Sequence, residues 1–316
     1  MECRICGKNT KKTITNELRD GTKTDVYFCD KCEIAFLENA GMSQEELKKF
    51  YEKEYRKIGT PKVGNETNPA ELFNIYSKFQ EQRLALIKPH LKKTDKLLEI
   101  GCSAGMFLWN IKPYVGKIFG LDFDKNSGKF ASKKCKCPVF SDELEKTNIP
   151  KNSLDAVCAF QTMEHVTYPK NFLETISSYL KPKGLIAIEV PNLYDSLQYI
   201  YDLPNHKKFF FHKSHIWYFT EKSLLKIMKD NGFIGKVFHT QDYNILNHMH
   251  WIEHDAPSQN CIEGLSAPYF NFKKNIDPKI KKSLNEFIQK TDILYKKKLS
   301  GLKITSNIIF IGRKAK

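Results

Sequence analysis

Residues 97–108, LLEIGCSAGMFL, place a short apolar segment directly before a run of small residues and a second apolar segment. The first segment has the length of a buried strand, and the second restarts with helical spacing. The small residues between them, Gly101, Ser103, Ala104 and Gly105, allow the backbone to approach a ligand closely. Since open parallel sheets bind ligands beyond the carboxyl ends of their strands, this unit predicts a binding site at the turn.

From about residue 71 onward, strand-like segments alternate with segments of helical spacing. The strand-like segments are KLLEI, KIFGLDFD, LDAVCAF, LIAIEVPN, KVFHTQDYNI and SNIIFIGRK. The first helical segment, residues 71–91, is predicted to be one helix that ends near Pro89. This alternation predicts an α/β fold, with helices on both faces of a parallel sheet.

Four of the nine cysteines form two C-x2-C pairs near the N-terminus: Cys3, Cys6, Cys29 and Cys32. Each pair can bind one ion from a single turn, and two pairs complete a tetrahedron. Disulfides or a redox C-x2-C are the alternatives, but the repeated pair and an expected cytosolic setting favour Zn²⁺. Because four thiolates leave no position for water, the pattern predicts a structural zinc in a small zinc-ribbon-like module over residues 1–42.

The segment after this module predicts a boundary. Residues 43–56, SQEELKKFYEKEYR, begin with a Ser/Glu capping box and have helical spacing, and a stretch rich in Gly, Pro and Asn follows. We therefore predict a helix and linker over residues 43–69. The main domain is then expected over residues 70–316, with an insertion at about 247–303.

Composition narrows the class of protein. No segment approaches the roughly 20 uninterrupted apolar residues of a membrane helix, and the N-terminus lacks the apolar core of a signal peptide. We therefore expect a cytoplasmic protein with no membrane partner. The net charge is +15, but only five of the 51 basic residues are arginine and the lysines are spread along the chain. This distribution favours a solvated surface over a nucleic-acid groove, which stays open as the second reading.

The turn after KLLEI reads G-x-x-x-G, so it matches neither the dinucleotide-binding G-x-G-x-x-G nor the GK[ST] ending of a P-loop. It carries instead a carboxylate, Glu99, which suits a ligand with a cationic end. The stretch resembles motif I of class I S-adenosylmethionine-dependent methyltransferases, [DE]-x-G-x-G-x-G, with Ser103 where the middle glycine usually lies. The resemblance covers roughly residues 70–240 and the last strand. It implies a Rossmann-like, seven-stranded, doubly wound sheet and S-adenosylmethionine as cofactor.

The resemblance also implies cofactor-binding residues. Asp122 matches the acidic position that binds both ribose hydroxyls, Asp142 lies in the loop expected to hold the adenine, and Gln161 faces the cofactor pocket. Tyr76 and Arg83, seven residues apart on one predicted helix face, could close over the carboxylate end of the cofactor or could be a core tyrosine and a surface arginine. The full expected set is Tyr76, Arg83, Glu99, Gly101, Cys102, Ser103, Gly105, Asp122, Phe123, Asp142 and Gln161.

Two histidines are the candidate catalytic bases. KSHIWYFT resembles the E-H-x-x-Y-F-S stretch of sugar C-methyltransferases that also carry a four-cysteine zinc module, and there the histidine matching His215 is implicated as the base. The preceding glutamate of that pattern is Ser214 here. His165 follows shortly after the predicted strand LDAVCAF, and it is either a second candidate base or one of the residues that surround the cofactor.

The remaining histidine cluster lies in HMHWIEHD, residues 248–255. His248, His250 and His254 there could line an acceptor pocket, bind a second metal or belong to a surface loop. The sequence as a whole predicts methyl transfer to a small polar acceptor, such as a sugar or nucleotide-linked sugar. The alternatives are an RNA methyltransferase that uses the zinc module and lysines, and a non-catalytic zinc-bearing binding module.

Overall fold

A computed structural model describes residues 1–38, 67–258 and 260–315. The helix predicted over residues 43–56 and most of the predicted linker lie outside this range. Within it, the chain forms a large sheet flanked by helices and a small N-terminal sheet.

The large sheet has seven strands and a Rossmann-like architecture. Its strands are β4 (Lys96–Ile100), β5 (Lys117–Leu121), β6 (Val139–Phe140), β7 (Leu154–Phe160), β8 (Leu180–Pro191), β10 (Phe233–Thr240) and β11 (Asn307–Lys314). Their spatial order is β6-β5-β4-β7-β8-β11-β10, which confirms the predicted seven-stranded sheet.

The prediction of a wholly parallel sheet is wrong at one edge. The five strands from β6 to β8 are parallel, but β11 runs antiparallel to both β8 and β10. The residues of β11 from Asn307 to Ile311 are continuously apolar or buried, as in any central strand. Because such a burial pattern is the same for either strand direction, it could not predict the reversal.

The helices connect and cover these strands. Their bounds are α1 (Pro69–Tyr76), α2 (Glu81–Ile87), α3 (Met106–Ile111), α4 (Lys125–Cys135), α5 (Pro169–Tyr179), α6 (Ser196–Tyr199), α7 (Pro204–Phe210), α8 (Glu221–Asp230), α9 (Ile245–His254), α10 (Cys261–Leu265) and α11 (Pro278–Leu302). The single helix predicted over residues 71–91 is instead divided into α1 and α2 by a 3-10 turn at Ser77–Phe79. Asn68 and Glu71 form a capping box that starts α1.

The N-terminal sheet consists of β1 (Thr13–Glu17), β2 (Lys23–Cys29), β3 (Ile34–Leu37) and β9 (Trp217–Tyr218). Strand β9 comes from the segment between β8 and β10 of the large sheet, and it pairs antiparallel with β3. The N-terminal module is therefore joined to the main domain through backbone hydrogen bonds.

Three helices, α9 to α11, occupy the connection between β10 and β11, where the insertion is predicted. The amide of Ile245 donates to Asp292 Oδ1 at 2.7 Å, which ties the start of α9 to α11. No helix among the described residues combines the length and apolar composition needed to cross a bilayer.

Candidate active site

A cavity of about 820 Å³ lies at the carboxyl ends of β4, β5 and β7. This is the edge at which open α/β sheets bind ligands, and the volume is that of a site for a drug-sized ligand or cofactor. The predicted turn after β4 forms its floor, through residues 99–103.

The turn after β4 has the backbone conformation that small residues allow. Gly101 has φ +75°, and a Cβ built on it would lie 2.3 Å from Thr162 Oγ1. Gly105 has φ +81° at the start of α3, where a Cβ would lie 2.9 Å from Cys135 Sγ. Ser103, in place of the usual middle glycine, also has a positive φ, of 48°. Its amide donates to Asp122 Oδ2 at 2.6 Å, which offsets the cost of that conformation.

Glu99 places a carboxylate beneath this turn. Its side chain is 4% exposed, and its Oε2 atom has no hydrogen-bond partner within the described residues. Burial raises the pKa of Glu99 well above its usual range, although the nearby charge of Arg83 opposes the shift. A buried acceptor at the wall of a cavity suits a ligand that brings a cationic or hydrogen-bond-donating group.

Arg83 lies in the cavity wall with its charge already paired. Its guanidinium forms an ion pair with Glu189, with Nε 3.1 Å from Oε2, and lies 4.6 Å from the centre of the Phe160 ring. The side-chain amide of Gln161 donates to Glu189 Oε1 and to Asn307 Oδ1, each at 3.1 Å. This network fixes the cavity wall at the ends of β7 and β8.

Of the eleven expected cofactor residues, nine line the cavity and two, Asp142 and Gly105, do not. The cavity is lined by Tyr76, Arg83, Glu99, Gly101, Cys102, Ser103, Asp122, Phe123 and Gln161. The predicted Asp142 does not line it; its side chain is 45% exposed and lies 3.5 Å from Lys146 Nζ. Its neighbours Glu143 and Leu144 line the cavity instead. Gly105 lies behind the turn, against α4.

Asp122 lies where two neighbouring strand ends meet. Its Oδ1 accepts from the amide of Asp124 at 2.8 Å, while Oδ2 accepts from Ser103. These two backbone bonds orient the carboxylate at the edge of the cavity, which Asp122 lines.

The two candidate bases, His165 and His215, lie together on the other side of the cavity. Their ring centres are 4.7 Å apart, and both line the cavity. Burial lowers the pKa of His165 to about 4, and burial also lowers the pKa of His215, to which the nearby imidazoles of His212 and His165 add. Both rings are therefore neutral at neutral pH, and a neutral imidazole offers a lone pair.

Glu164 is not among the site residues predicted from the sequence, although it lies beside His165. Its side chain is fully buried, and its Oε1 lies 3.6 Å from His165 Nε2 and 3.9 Å from His215 Nε2. The signal that could have found it is its place in QTMEH, directly after a buried strand.

The C-terminal histidines do not join this cavity. His248 is buried in α9, where it contacts Tyr295 Oη and the side-chain amide of Gln241, each at 2.9 Å. His250 and His254 pair with each other, with ring centres 4.6 Å apart. Their placement fits helix packing, and none of the three lines the cavity at the ends of the strands.

The four N-terminal cysteines come together as the spacing predicts. The Sγ atoms of Cys3, Cys6, Cys29 and Cys32 all lie within 4.8 Å of one another. Burial raises the pKa of Cys3 to about 11. Four converging thiols fit one tetrahedral Zn²⁺, whose charge favours the thiolate form that burial opposes.

The fold and cavity together define a Rossmann-like domain with its ligand site at the carboxyl edge of the sheet. Residues 72–234, just over half of the chain, match a family described as "methyltransferase domain". The chain therefore belongs to this family of methyltransferase domains.

Individual relatives share little sequence identity with this chain. The chain is 27% identical over 124 residues to a probable methyltransferase of Aspergillus luteorubrus, covering 34% of this chain and 44% of the relative. It is 27% identical over 157 residues to the mitochondrial ubiquinone biosynthesis O-methyltransferase of Dictyostelium discoideum, covering 42% and 48%. It thus spans less than half the length of each of these curated relatives. Among solved structures, a SAM-dependent methyltransferase from Archaeoglobus fulgidus is 20% identical, with a TM-score of 0.48 over 77% of this chain and 99% of that one.

Proposed function

We propose that this chain transfers the methyl group of S-adenosylmethionine to a small polar acceptor, in particular a sugar or nucleotide-linked sugar. The observation that carries the proposal is the pair of carboxylates at neighbouring strand ends. Glu99 lies buried beneath the turn with an unpaired oxygen, and Asp122 is held by two backbone amides. Together they suit a ligand with hydroxyl groups at one point and a positive charge at another.

The proposed cofactor site uses the residues of this edge. Asp122 would accept hydrogen bonds from the ribose hydroxyls, and charge-assisted bonds of this type are stronger than neutral ones. The strained turn of Gly101 and Ser103 lets the backbone approach the ligand, because Thr162 leaves no room for a side chain at Gly101. When bound, S-adenosylmethionine supplies an electrophilic methyl group on a cationic sulfur.

The acceptor would lie on the side of the cavity that His165 and His215 line. A hydroxyl acceptor must lose its proton during transfer, and two neutral imidazoles are suited to assist that loss. Asn171, Thr167 and Tyr243 add polar groups to the same cavity. Alignment of the acceptor with the methyl group contributes most of the rate in such a reaction.

The same proposal assigns Zn²⁺ to Cys3, Cys6, Cys29 and Cys32 as a structural ion. It also includes a cytoplasmic location, since none of the nine cysteines forms a disulfide, as is typical of reducing compartments.

The test begins with calorimetric titration of the full chain with S-adenosylmethionine. Transfer of a labelled methyl group to a panel of nucleotide sugars then identifies the acceptor. We expect His215→Ala to keep cofactor affinity and lower turnover, and His254→Ala, at an exposed histidine outside the cavity, to change neither.

Each alternative has its own outcome. Absence of cofactor binding would overturn the proposal in favour of a non-catalytic module. Methylation of RNA, with RNA affinity that falls steeply as salt rises, would overturn the small acceptor.

A further inference from the structure

Glu164 is a buried carboxylate that the cofactor site does not use. Its side chain has no exposed surface, and neither Oε1 nor Oε2 has a hydrogen-bond partner among the described residues. Its own carbonyl accepts from the amide of Ile216 at 2.8 Å, which joins its turn to the segment that carries His215. An unpaired buried carboxylate is costly, so the arrangement calls for a group that satisfies it.

Two imidazoles lie close to this carboxylate. His165 Nδ1 lies 2.6 Å from the carbonyl oxygen of Ser214, so the ring proton is on Nδ1 and the Nε2 lone pair points to the Glu164 side. His215 Nδ1 has no partner in the described residues, and its Nε2 lies near the same Glu164 oxygen. Three potential ligand atoms thus converge within 4.8 Å of one another.

The separations distinguish a metal site from a hydrogen-bonded triad. Glu164 Oε1 is 3.6 Å from His165 Nε2 and 3.9 Å from His215 Nε2, which is too long for hydrogen bonds. Ligands bound tetrahedrally at about 2.0–2.2 Å from one ion lie roughly 3.3–3.6 Å from each other. A small inward movement would therefore bring all three atoms onto a single cation.

The surroundings also match a metal site. A histidine that ligates a metal usually donates its other ring N–H to a backbone carbonyl or carboxylate, as His165 does to Ser214. His212 is held next to His215, with ring centres 3.7 Å apart, by its contact with Ser214 Oγ. Two imidazoles and one carboxylate form a ligand set suited to Zn²⁺ or a similar divalent ion.

We propose that Glu164, His165 and His215 bind a divalent cation of the Zn²⁺ class in the wall of the cavity. Three protein ligands leave a coordination position open, and both histidines line the cavity, so that position faces the acceptor side. This ion would be separate from the one at the four cysteines, which has no open position.

The role of this ion rests on the proposed function. A hydroxyl of the acceptor bound to the open position would have a lowered pKa and lose its proton to solvent. The resulting oxygen forms a bond to the methyl carbon while the carbon–sulfur bond breaks, and neutral S-adenosylhomocysteine leaves. The two imidazoles would then be metal ligands and not general bases. The acceptor hydroxyl would lose its proton because it is bound to the metal.

The test measures metal binding independently of catalysis. The full chain is loaded with Zn²⁺, dialysed and analysed for metal, and a parallel sample is loaded with Co²⁺. Thiolate-bound Co²⁺ gives intense charge-transfer absorption in the near-ultraviolet, whereas nitrogen- and oxygen-bound Co²⁺ gives only weaker visible bands. We expect two equivalents of metal per chain and both sets of bands.

The isosteric variant Glu164→Gln should lose the second equivalent and its share of the visible absorption, while it keeps the near-ultraviolet thiolate bands and the affinity for the cofactor. His215→Ala should do the same, and His254→Ala should keep both equivalents. A wild-type chain that holds a single equivalent, or a folded Glu164→Gln chain that still holds two, would overturn the metal site. Loss of cofactor binding in calorimetry would contradict the proposed function alone, so the two failures are distinguishable.

Discussion

Phe36, in strand β3 of the N-terminal module, pairs with Trp217, two residues beyond His215. Their ring centres are 5.9 Å apart, and the indole N–H of Trp217 donates to the carbonyl of Val166 at 2.9 Å. One side chain thus contacts the module and the turn that contains Glu164 and His165. A second link is the side chain of Arg19, whose Nε donates to the carbonyl of Phe209 at 2.6 Å. The four-cysteine module therefore packs against the two segments that carry His165 and His215.

Loss of the ion at the four cysteines should disturb this packing. We expect Cys29→Ser to lower the metal content by about one equivalent per chain and to loosen the β3–β9 pairing, because about forty residues have too little core to stay folded without the ion. Turnover should fall more than cofactor affinity, since Glu99 and Asp122, the carboxylates proposed to bind the cofactor, belong to the large sheet and the turn that follows it. Metal analysis, tryptophan fluorescence of the buried Trp217 and calorimetry with the cofactor measure these effects.

Cys137→Ser provides the control for this prediction. Cys137 is half-buried and lies after α4, away from the cluster, so its substitution should leave metal content unchanged. If Cys29→Ser kept its full metal content, the four thiols would not be joint ligands of one ion.

Two aspartates twenty residues apart should differ sharply in their effect on cofactor binding. Asp122→Ala should weaken binding by about 1.5–3 kcal/mol, roughly 10- to 150-fold, the range for hydrogen bonds to a charged group. Asp142→Ala should change affinity little, because its side chain points toward Lys146 and does not line the cavity. Calorimetry with both variants decides the matter, and a larger effect at Asp142 would move the adenine site to that side chain.

How far the site could be predicted depends on whether its residues are local in sequence. The turn after β4, the acidic residue at the end of β5 and the two C-x2-C pairs are each set by spacing within a few residues. The structure brings the four cysteines together and places the turn and Asp122 at one cavity. Tyr76 and Arg83 both line the cavity, but they do so from two helices, because a 3-10 turn interrupts the single predicted helix.

Contacts between distant segments could not be predicted in the same way. Glu189 pairs with Arg83 from 106 positions away, and no pattern at either residue indicates the other. The pairing of β3 with β9 and the reversal of β11 likewise depend on how the chain returns to the sheet. Whether Asp142 or Glu143 lines the cavity depends on a shift of one residue in a short turn. Sequence patterns do not predict the conformation of such a turn to within one residue.

Glu99 predicts a pH dependence of cofactor binding. Because burial raises the pKa of Glu99, part of the free protein keeps this carboxyl protonated at pH values above the usual pKa range of a glutamate. A positively charged ligand binds more tightly when Glu99 is ionised. Binding therefore releases the proton of the Glu99 carboxyl to solvent. Affinity should therefore rise with pH through the raised pKa of the free protein and level off above it.

Calorimetry in buffers of different ionisation enthalpy measures the released proton directly. Glu99→Gln keeps the shape of the side chain but cannot ionise, so it should bind more weakly and without this proton release. Equal proton release by the wild-type chain and Glu99→Gln would assign the effect to another group.

Alanine substitutions at Gly101, Gly232 and Gly301 distinguish the effect of steric exclusion from the effect of backbone strain. Gly101→Ala combines a φ of +75° with a Cβ 2.3 Å from Thr162 Oγ1, so we expect both a lower stability and a distorted turn. Gly232 has φ +79°, and no described residue lies within 4 Å of an added Cβ, so Gly232→Ala should carry only the strain of the left-handed conformation, about 1 kcal/mol. Gly301 lies in α11, where the described part of the chain likewise places nothing within 4 Å of an added Cβ, and Gly301→Ala should be neutral or slightly stabilising.

Thermal unfolding of the three variants, with cofactor titration of each, tests this order. Gly101→Ala should lose stability beyond Gly232→Ala and should alone lose cofactor affinity, because only its turn lies at the cavity. If the Gly101 variant bound the cofactor like the wild-type chain, the close approach of backbone and ligand at this turn would not be required. The small residues after β4 would then serve packing against Thr162 and α4, with Glu99 and Asp122 left to define the site.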